Sequence, residues 1–252
     1  MRRIYFCLLF LVSISLSAQN NAIGFGEKLT YTASYNMSGI LNDLAEITME
    51  TSVVKTSKAT LLRLKCKATT YSKWDNFFKI RDLYESYVSP KSLKPYLYNR
   101  DINEGGYQKS VKYTFSHKTK TVKTVQTKKK SNWNQKKTVP IKSDTKDIIS
   151  TLYTLRTFDL ANLSSGTSKV FTILFDREEV KAKVTYLGKE SISTALGKKT
   201  CYKLALGSVN SNTVNATLWL SADENKIPVY GKFKIPVGTG ELKIKSASGL
   251  KN

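Results

Sequence analysis

Apolar and polar residues alternate along most of this chain, a pattern typical of β-strands with one buried face. The alternation is clearest where Leu62, Leu64 and Cys66 fall on one side of a strand. Residues 56–59, with polar Ser57 and Lys58 at their centre, separate this strand from the one before it and predict a hairpin, so the sheet is antiparallel here. The same pattern predicts strands at 28–35, 45–55, 60–71, 80–88, 96–100, 109–115, 121–127, 170–175, 179–187, 201–207, 214–221, 227–237 and 241–245.

Residues 143–163 are the one segment whose apolar residues recur at helical spacing. They predict a helix over about 144–160 with a single apolar stripe: Ile148, Ile149, Leu152 and Leu155. Ser143 or Asp144 can cap its first turn, and Asp147 adds negative charge that the helix dipole favours. A lone amphipathic helix among strands must bury its stripe against a sheet, as a plug or a lid. We therefore predict a mostly β fold, a curved antiparallel sheet forming an incompletely closed barrel or clam, with the helix on its concave face.

The N-terminus predicts export. Two arginines, an apolar run from Ile4 to Val12 and small residues up to Ala18 are typical of a secretory signal peptide. A membrane anchor is less favoured, because the run is too short to span a bilayer core of about 30 Å. We predict a signal peptide at 1–18 and a single β-rich domain at 19–252, located in the periplasm or outside the cell. No later apolar run is long enough to cross a membrane, so an integral membrane protein is not expected.

The charge is strongly positive, with 41 Lys and Arg against 19 Asp and Glu. Lysines concentrate between 118 and 146, where we predict a strand and then a long exposed loop. These lysines either guard a solvated hairpin against edge pairing or bind an anionic envelope polymer or lipid headgroups. The candidate anion-binding residues are Lys118, Lys120, Lys123, Lys128, Lys129, Lys130, Lys136 and Lys137. Nucleic acid is not expected as a partner, because the chain is predicted to be exported and only Trp133 interrupts the lysines.

Candidate catalytic chemistry is sparse. The single histidine, His117, excludes a multi-histidine metal site, and we expect no metal, no cofactor and no enzymatic activity. Asp82 and Glu85 fall on opposite faces of one strand, while Asp101 and Glu104 flank a Gly-Gly turn.

Two cysteines lie beyond the predicted signal peptide. Cys66 is in phase with the apolar face of its strand, whereas Cys201 is out of phase with its apolar neighbours. Because side chains on opposite faces cannot easily reach each other, two thiols are favoured over a disulfide, and both alternatives stay open.

Aromatic residues cluster between 74 and 98 and supply either ordinary core or a ligand-binding surface. We predict that a hydrophobic or amphipathic, lipid-like ligand binds between the sheet and the helix. The predicted binding residues are Ile148, Ile149, Leu152 and Leu155 of the helix, together with Tyr84, Tyr87, Tyr96 and Tyr98.

Four stretches together resemble the exported bacterial family known as domain of unknown function 3108. They are residues 78–107 (FKIRDLYESYVSPKSLKPYLYNRDINEGGY), 147–156 (DIISTLYTLR), 184–204 (VTYLGKESISTALGKKTCYKL) and 218–243 (LWLSADENKIPVYGKFKIPVGTGELK). The resemblance implies an exported, mostly antiparallel β protein of Gram-negative bacteria. It also suggests an analogy to the half-open barrel of the periplasmic lipoprotein-localisation factors. The family has no established catalytic residues, so none is carried over to this chain.

Overall fold

The computed structural model describes residues 22–37, 40–210, 213–235 and 238–252. The signal peptide predicted at 1–18 lies outside these residues. The described part is dominated by strands, with one α-helix and two short 3₁₀ turns, Ser72–Trp74 and Leu160–Asn162. The strands are β1 (Lys28–Met37), β2 (Ile40–Lys55), β3 (Thr60–Thr70), β4 (Arg81–Val88), β5 (Pro95–Glu104), β6 (Tyr107–Ser116), β7 (Thr121–Lys128), β8 (Asn134–Pro140), β9 (Ser168–Phe175), β10 (Glu178–Thr194), β11 (Gly197–Ser208), β12 (Val214–Ser221), β13 (Pro228–Ile235) and β14 (Gly238–Ser248), and the helix α1 (Ile148–Leu155) lies between β8 and β9.

All fourteen strands belong to one antiparallel sheet. Strands β1–β8 follow one another as neighbours, β9–β14 do the same, and β14 pairs with β1 to join the two halves. Over the ranges given above, the outermost strands β8 and β9 do not pair with each other. The predicted fold class, a curved sheet forming an incompletely closed barrel with one helix, is therefore confirmed.

One face of the sheet is buried, and we call it the inner face. It carries the buried side chains of Tyr31, Leu64 and Tyr98. Residues paired across antiparallel strands share a face, so Ile47, which pairs with Tyr31, and Ala68, which pairs with Ile47, also lie on it. The strands around these residues follow the alternation expected from the sequence.

The helix packs on the inner face, where it contacts β3, β4 and β9. It begins later than predicted, because Asp147 rather than Ser143 or Asp144 is the N-cap. The Asp147 carboxylate accepts a hydrogen bond from the Ser150 amide at 2.8 Å, and the Ser150 hydroxyl accepts one from the Asp147 amide at 3.2 Å. The Ser86 hydroxyl of β4 donates to the same carboxylate at 2.6 Å. This contact fixes the start of α1 to the sheet.

A buried ion pair holds the other end of the helix. The Arg156 guanidinium, just beyond α1, donates to both carboxylate oxygens of Glu27 at 2.6 Å. It also donates to the carbonyls of Ala22 at 2.9 Å and Asn225 at 3.0 Å. We call this end of the rolled sheet the plugged end. The opposite end, with the β1–β2, β3–β4, β5–β6, β7–β8, β9–β10, β11–β12 and β13–β14 connections, is the open end.

Strand β8 corrects one sequence-based prediction. A long exposed loop was expected here, but Asn134–Pro140 pairs with β7 over its whole length. Within this strand only Val139 is buried, so the sequence lacks the alternation that would reveal it. An edge strand with lysines on it is protected against further pairing. Cys66 and Cys201 are both free thiols, which agrees with the favoured alternative.

Candidate functional site

The open end of the inner face holds a pocket of about 710 Å³. Strands β1, β2 and β3 form its floor, and the β3–β4 connection and the hairpin of β13 and β14 form its walls. Its lining consists of Ala33, Ser34, Tyr35, Leu44, Ala45, Ile47, Ala68, Thr70, Trp74, Phe77, Phe78, Ile80, Phe233 and Gly240. This volume is within the range of pockets that bind small molecules.

Small side chains on neighbouring strands create the space at the floor. Ala33 pairs with Ala45 across β1 and β2, and Ala68 of β3 pairs with Ile47 of β2. Further toward the plugged end of the same strands, the inner face carries large buried residues such as Leu29. The inner face is therefore filled at one end and hollow at the other.

Aromatic side chains from the β3–β4 connection form one wall. The Trp74 indole N–H donates to the Asp43 carbonyl of β2 at 2.7 Å, which ties the connection to the floor. The amides of Phe77 and Phe78 both donate to the Trp74 carbonyl at 2.9 Å, which closes the backbone of residues 74–78 into a turn. Gly105 leaves room for Phe78, because a Cβ there would stand 2.8 Å from the ring, and its φ of +52° also favours glycine.

The pocket is chemically apolar. The hydroxyls of Ser34 and Thr70 bond within the protein, Ser34 to the Asp43 carboxylate at 2.6 Å and Thr70 to the Asp75 carboxylate at 2.8 Å. Among the described residues that line it, none carries a carboxylate, an amine, a guanidinium, an imidazole or a thiol. The site can bury an apolar group, and it offers little to a charged one.

Two carboxyl groups meet beside the pocket but do not line it. Asp82 is buried and accepts hydrogen bonds from the Asn103 amide at 2.8 Å and the Tyr84 hydroxyl at 3.3 Å. Burial raises the pKa of Glu104, and its hydrogen bond with Asp82 and the charge of Asp82 raise that pKa further. Sequence reasoning paired each of these acids with a different neighbour, because it could not bring β4 and β5 together in register. Since neither reaches the pocket lining, they give the pocket no pair of catalytic acids.

A comparison with protein families identifies the family of this chain. The model of the family described as "Protein of unknown function (DUF3108)" matches residues 30–245. The chain belongs to the DUF3108 family. None of the curated proteins matches it.

The solved structures that match this DUF3108 chain include the following two. One is the beta-barrel-like protein of domain of unknown function DUF1849 from Brucella abortus, with a TM-score of 0.57 and 10% identity over 89% of this chain and 97% of that one. It shows a shared fold only. The other is a putative exported protein with a YmcC-like fold from Bacteroides fragilis, at 8% identity over 90% of this chain and 99% of that one. Its TM-score of 0.31 is too low to support an argument.

The helix stripe predicted to bind a ligand lies outside the pocket lining. Ile149 and Leu155 are fully buried in the core, whereas Ile148 and Leu152 are half-buried. Tyr153, the one aromatic residue of α1, is fully buried, and the predicted stripe omitted it. That these four residues bind a ligand stays a prediction. Their observed packing in the core is that of a plug.

The four tyrosines predicted to join that site are split between the two faces of the sheet. Tyr98 is buried on the inner face, and Tyr84, which pairs with Arg100 and Cys66, is half-buried there. Tyr87 pairs with Arg63 on the opposite face, and Tyr96 is exposed. The structure therefore does not bring the four rings together, and none of them lines the pocket.

The predicted anion-binding lysines are distributed along β7, β8 and their connections. Lys118 and Lys120 lie in the β6–β7 turn at the plugged end. At the open end Lys128 is the last residue of β7, and Lys129 and Lys130 lie in the β7–β8 turn. The two turns are separated by the length of β7, eight residues or about 26 Å. Lys123, Lys136 and Lys137 occupy the strands between them. Their binding of an anionic polymer stays a prediction.

Sequence reasoning missed most of the pocket. It noted the aromatic residues 74–78, but it did not identify Phe233, Tyr35 or the three alanines as part of a site. A usable signal was present, because an apolar phase that changes from large to small residues in adjacent strands predicts a gap in the core. In the ranges that the structure describes, no helix is long and apolar enough to span a bilayer. Within the same ranges, no cluster of three or more His, Cys, Asp or Glu side chains forms a candidate metal site.

Proposed function

We propose that this protein is an exported, non-catalytic binding protein of the bacterial envelope, and that the pocket at its open end takes an apolar or amphipathic ligand. The observation that carries the proposal is a pocket of about 710 Å³ with a largely apolar lining, in which the polar groups of Ser34, Thr70 and Trp74 bond within the protein. Such a lining selects acyl chains or other apolar groups. The polar end of an amphipathic ligand would stay at the mouth.

The expected affinity follows from the burial of methylene groups. Each CH₂ removed from water contributes about 0.8 kcal/mol, so a ten-carbon chain gains roughly 8 kcal/mol. A binding free energy of that size corresponds to a dissociation constant of about 1 µM. Losses of ligand freedom reduce the affinity, so we expect micromolar binding or weaker for a single chain.

Filling the pocket tests the proposal. Ala68→Phe places a ring on the floor, where it pairs with Ile47 across the sheet. We expect the fluorescence increase of dansyl-undecanoic acid on binding to occur at an at least tenfold higher protein concentration in this variant than in the unmodified protein. Ala59→Phe is the matched control, because it makes the same change on an exposed turn of the same hairpin, far from the pocket.

The controls separate a filled pocket from a damaged fold. Far-UV circular dichroism and urea unfolding should be similar for both variants, and Ala33→Phe provides a second way to fill the floor. Equal probe binding by Ala68→Phe, Ala33→Phe and the unmodified protein would show that the pocket is not the binding site. Mass spectrometry of lipids extracted from the purified protein would then identify what a genuine ligand is, and the absence of any bound or exchangeable apolar ligand would remove the proposal.

A further inference from the structure

The open end exposes large apolar side chains at several turns. Phe77 of the β3–β4 connection is 77% exposed, and Ile40 at the start of β2 is 67% exposed. Leu41, Tyr107 and Phe233 are also exposed and lie on three strands that end here. Single exposed apolar residues are ordinary on protein surfaces, but several at one end of a molecule indicate an interaction surface.

Lysines accompany these apolar side chains. Six exposed lysines lie in or next to the same connections: Lys73, Lys79, Lys128, Lys129, Lys130 and Lys234. In the described part of the chain none of these six makes an ion pair within 4 Å. Lys73 lies over the ring of Trp74 at 5.6 Å, and Lys128 lies over Trp133 at 5.3 Å. Aromatic and cationic side chains side by side are typical of the boundary between lipid headgroups and acyl chains.

Asp43, Glu104 and Glu178 at this end make no ion pair within 4 Å in the described part of the chain, but the six lysines outnumber them, and other acidic residues here are paired with cations. Asp75 is paired with Arg81, and Asp176 is paired with both Arg100 and Lys109. The surface around the pocket mouth therefore carries net positive charge and several exposed apolar side chains. It is complementary to a bilayer with anionic headgroups.

We propose that the open end docks on an anionic bilayer surface, with Ile40, Phe77 and neighbouring tips entering the headgroup region and the lysines contacting lipid phosphates. The inference rests on the proposed function in one respect: docking places the pocket mouth, with Phe77 and Phe78 at its rim, against the source of its ligand. An acyl chain then passes between bilayer and pocket without crossing water. The docking itself is a separate property and can be measured separately.

Vesicle sedimentation tests the docking. The protein is used without residues 1–18, because the apolar run at 4–12 would itself bind lipid. We expect binding to vesicles of phosphatidylcholine with phosphatidylglycerol, and at least tenfold weaker binding to phosphatidylcholine alone. Lys128→Gln/Lys129→Gln/Lys130→Gln should weaken binding to the anionic vesicles by at least tenfold, since each lysine near such a surface contributes about fivefold.

Matched variants at the plugged end control for loss of charge and of apolar surface. Lys55→Gln/Lys58→Gln/Lys118→Gln removes three exposed lysines from other turns and should leave vesicle binding within about twofold. Ile40→Ser/Phe77→Ser should weaken binding at least tenfold, whereas Val53→Ser, an exposed position near the β2–β3 turn, should not. Each variant is also tested for dansyl-undecanoic acid binding in the absence of vesicles.

Four outcomes decide the matter. Binding to anionic vesicles that falls in both open-end variants and not in the plugged-end variants supports the docking. Equal binding to neutral and anionic vesicles, or an equal effect of the variants at the two ends, overturns it. No vesicle binding with normal probe binding overturns the docking and leaves the proposed function standing. A dimer in sedimentation equilibrium that Ile40→Ser/Phe77→Ser converts to monomers shows that a second copy covers this face, and also overturns it.

Discussion

Replacing Arg156 by leucine is the sharpest test of how the plugged end is held. The guanidinium is 1% exposed and the Glu27 carboxylate is not exposed. Arg156 makes four hydrogen bonds, two to Glu27 and one each to the carbonyls of Ala22 and Asn225. Leucine removes all four and leaves a carboxylate buried without its cation.

The expected loss of stability follows from that burial. Removing one partner of a buried ion pair costs about 3–5 kcal/mol, because the remaining charge is neither solvated nor paired. For a chain of this size each kcal/mol lowers the thermal midpoint by about 2–4 °C. We therefore expect a decrease of roughly 6–20 °C. The double variant Glu27→Leu/Arg156→Leu should be more stable than Arg156→Leu alone, since replacing both charges with apolar groups removes the unpaired carboxylate.

Urea unfolding followed by tryptophan fluorescence, with thermal melts by circular dichroism, measures these differences. Lys245→Gln is the control, because it breaks a surface ion pair with Glu46 at 3.2 Å and should leave the unfolding midpoint nearly unchanged. A loss below about 1 kcal/mol for Arg156→Leu, or a double variant less stable than either single one, would refute the reasoning.

Two further predictions concern titratable groups in the core. Burial, and then the charge of Asp82, raise the pKa of the Cys66 thiol to about 12, and burial raises the pKa of the Cys201 thiol to about 11. Both thiols should therefore resist a disulfide reagent at about pH 8 and react after unfolding in urea. A native disulfide would instead leave no thiol to label in the unfolded protein. Burial raises the pKa of Asp147 against the opposing hydrogen bonds from Ser86 and Ser150. Its contribution to stability is thus present below the ordinary aspartate value of about 3.9 and is lost as pH rises through the raised folded value. Asp147→Asn should remove this part of the pH dependence, and identical urea midpoints against pH for the two proteins would contradict it.

The sheet was predictable because its local signal is strong. In β3 the buried residues Leu62 and Leu64 alternate with half-buried ones, so a period of two specifies which face points inward. The weakest strand, β8, escaped prediction for the same physical reason. As an edge strand with polar residues on both faces, Asn134–Pro140 gains its structure from pairing with β7 and not from its own apolar pattern.

Long-range contacts escaped prediction for a different reason. Arg156 and Glu27 are separated by 129 residues, and nothing in either local sequence reveals the other. The same is true of Asp82 and Glu104, which meet only once β4 and β5 are in register. The N-cap at Asp147 was misplaced because Ser143 and Asp144 are equally good capping residues. Only the tertiary contact of Asp147 with Ser86 selects the later start.

Under the proposed function, the position of the pocket implies that strand residues, rather than the helix, determine where the ligand enters. On β1 the inner face passes from Leu29 and Tyr31 to Ala33, and on β2 it passes from Met49 to Ala45 toward the open end. Helix α1 packs where the side chains are large, so the helix and the hollow occupy different parts of one face. Changes in the helix should therefore act mainly on stability, whereas changes at the alanines should act mainly on capacity for a ligand. If the helix were a lid, one substitution in it would change both stability and ligand binding. Here the helix and the pocket are separate, so we expect the two properties to change independently.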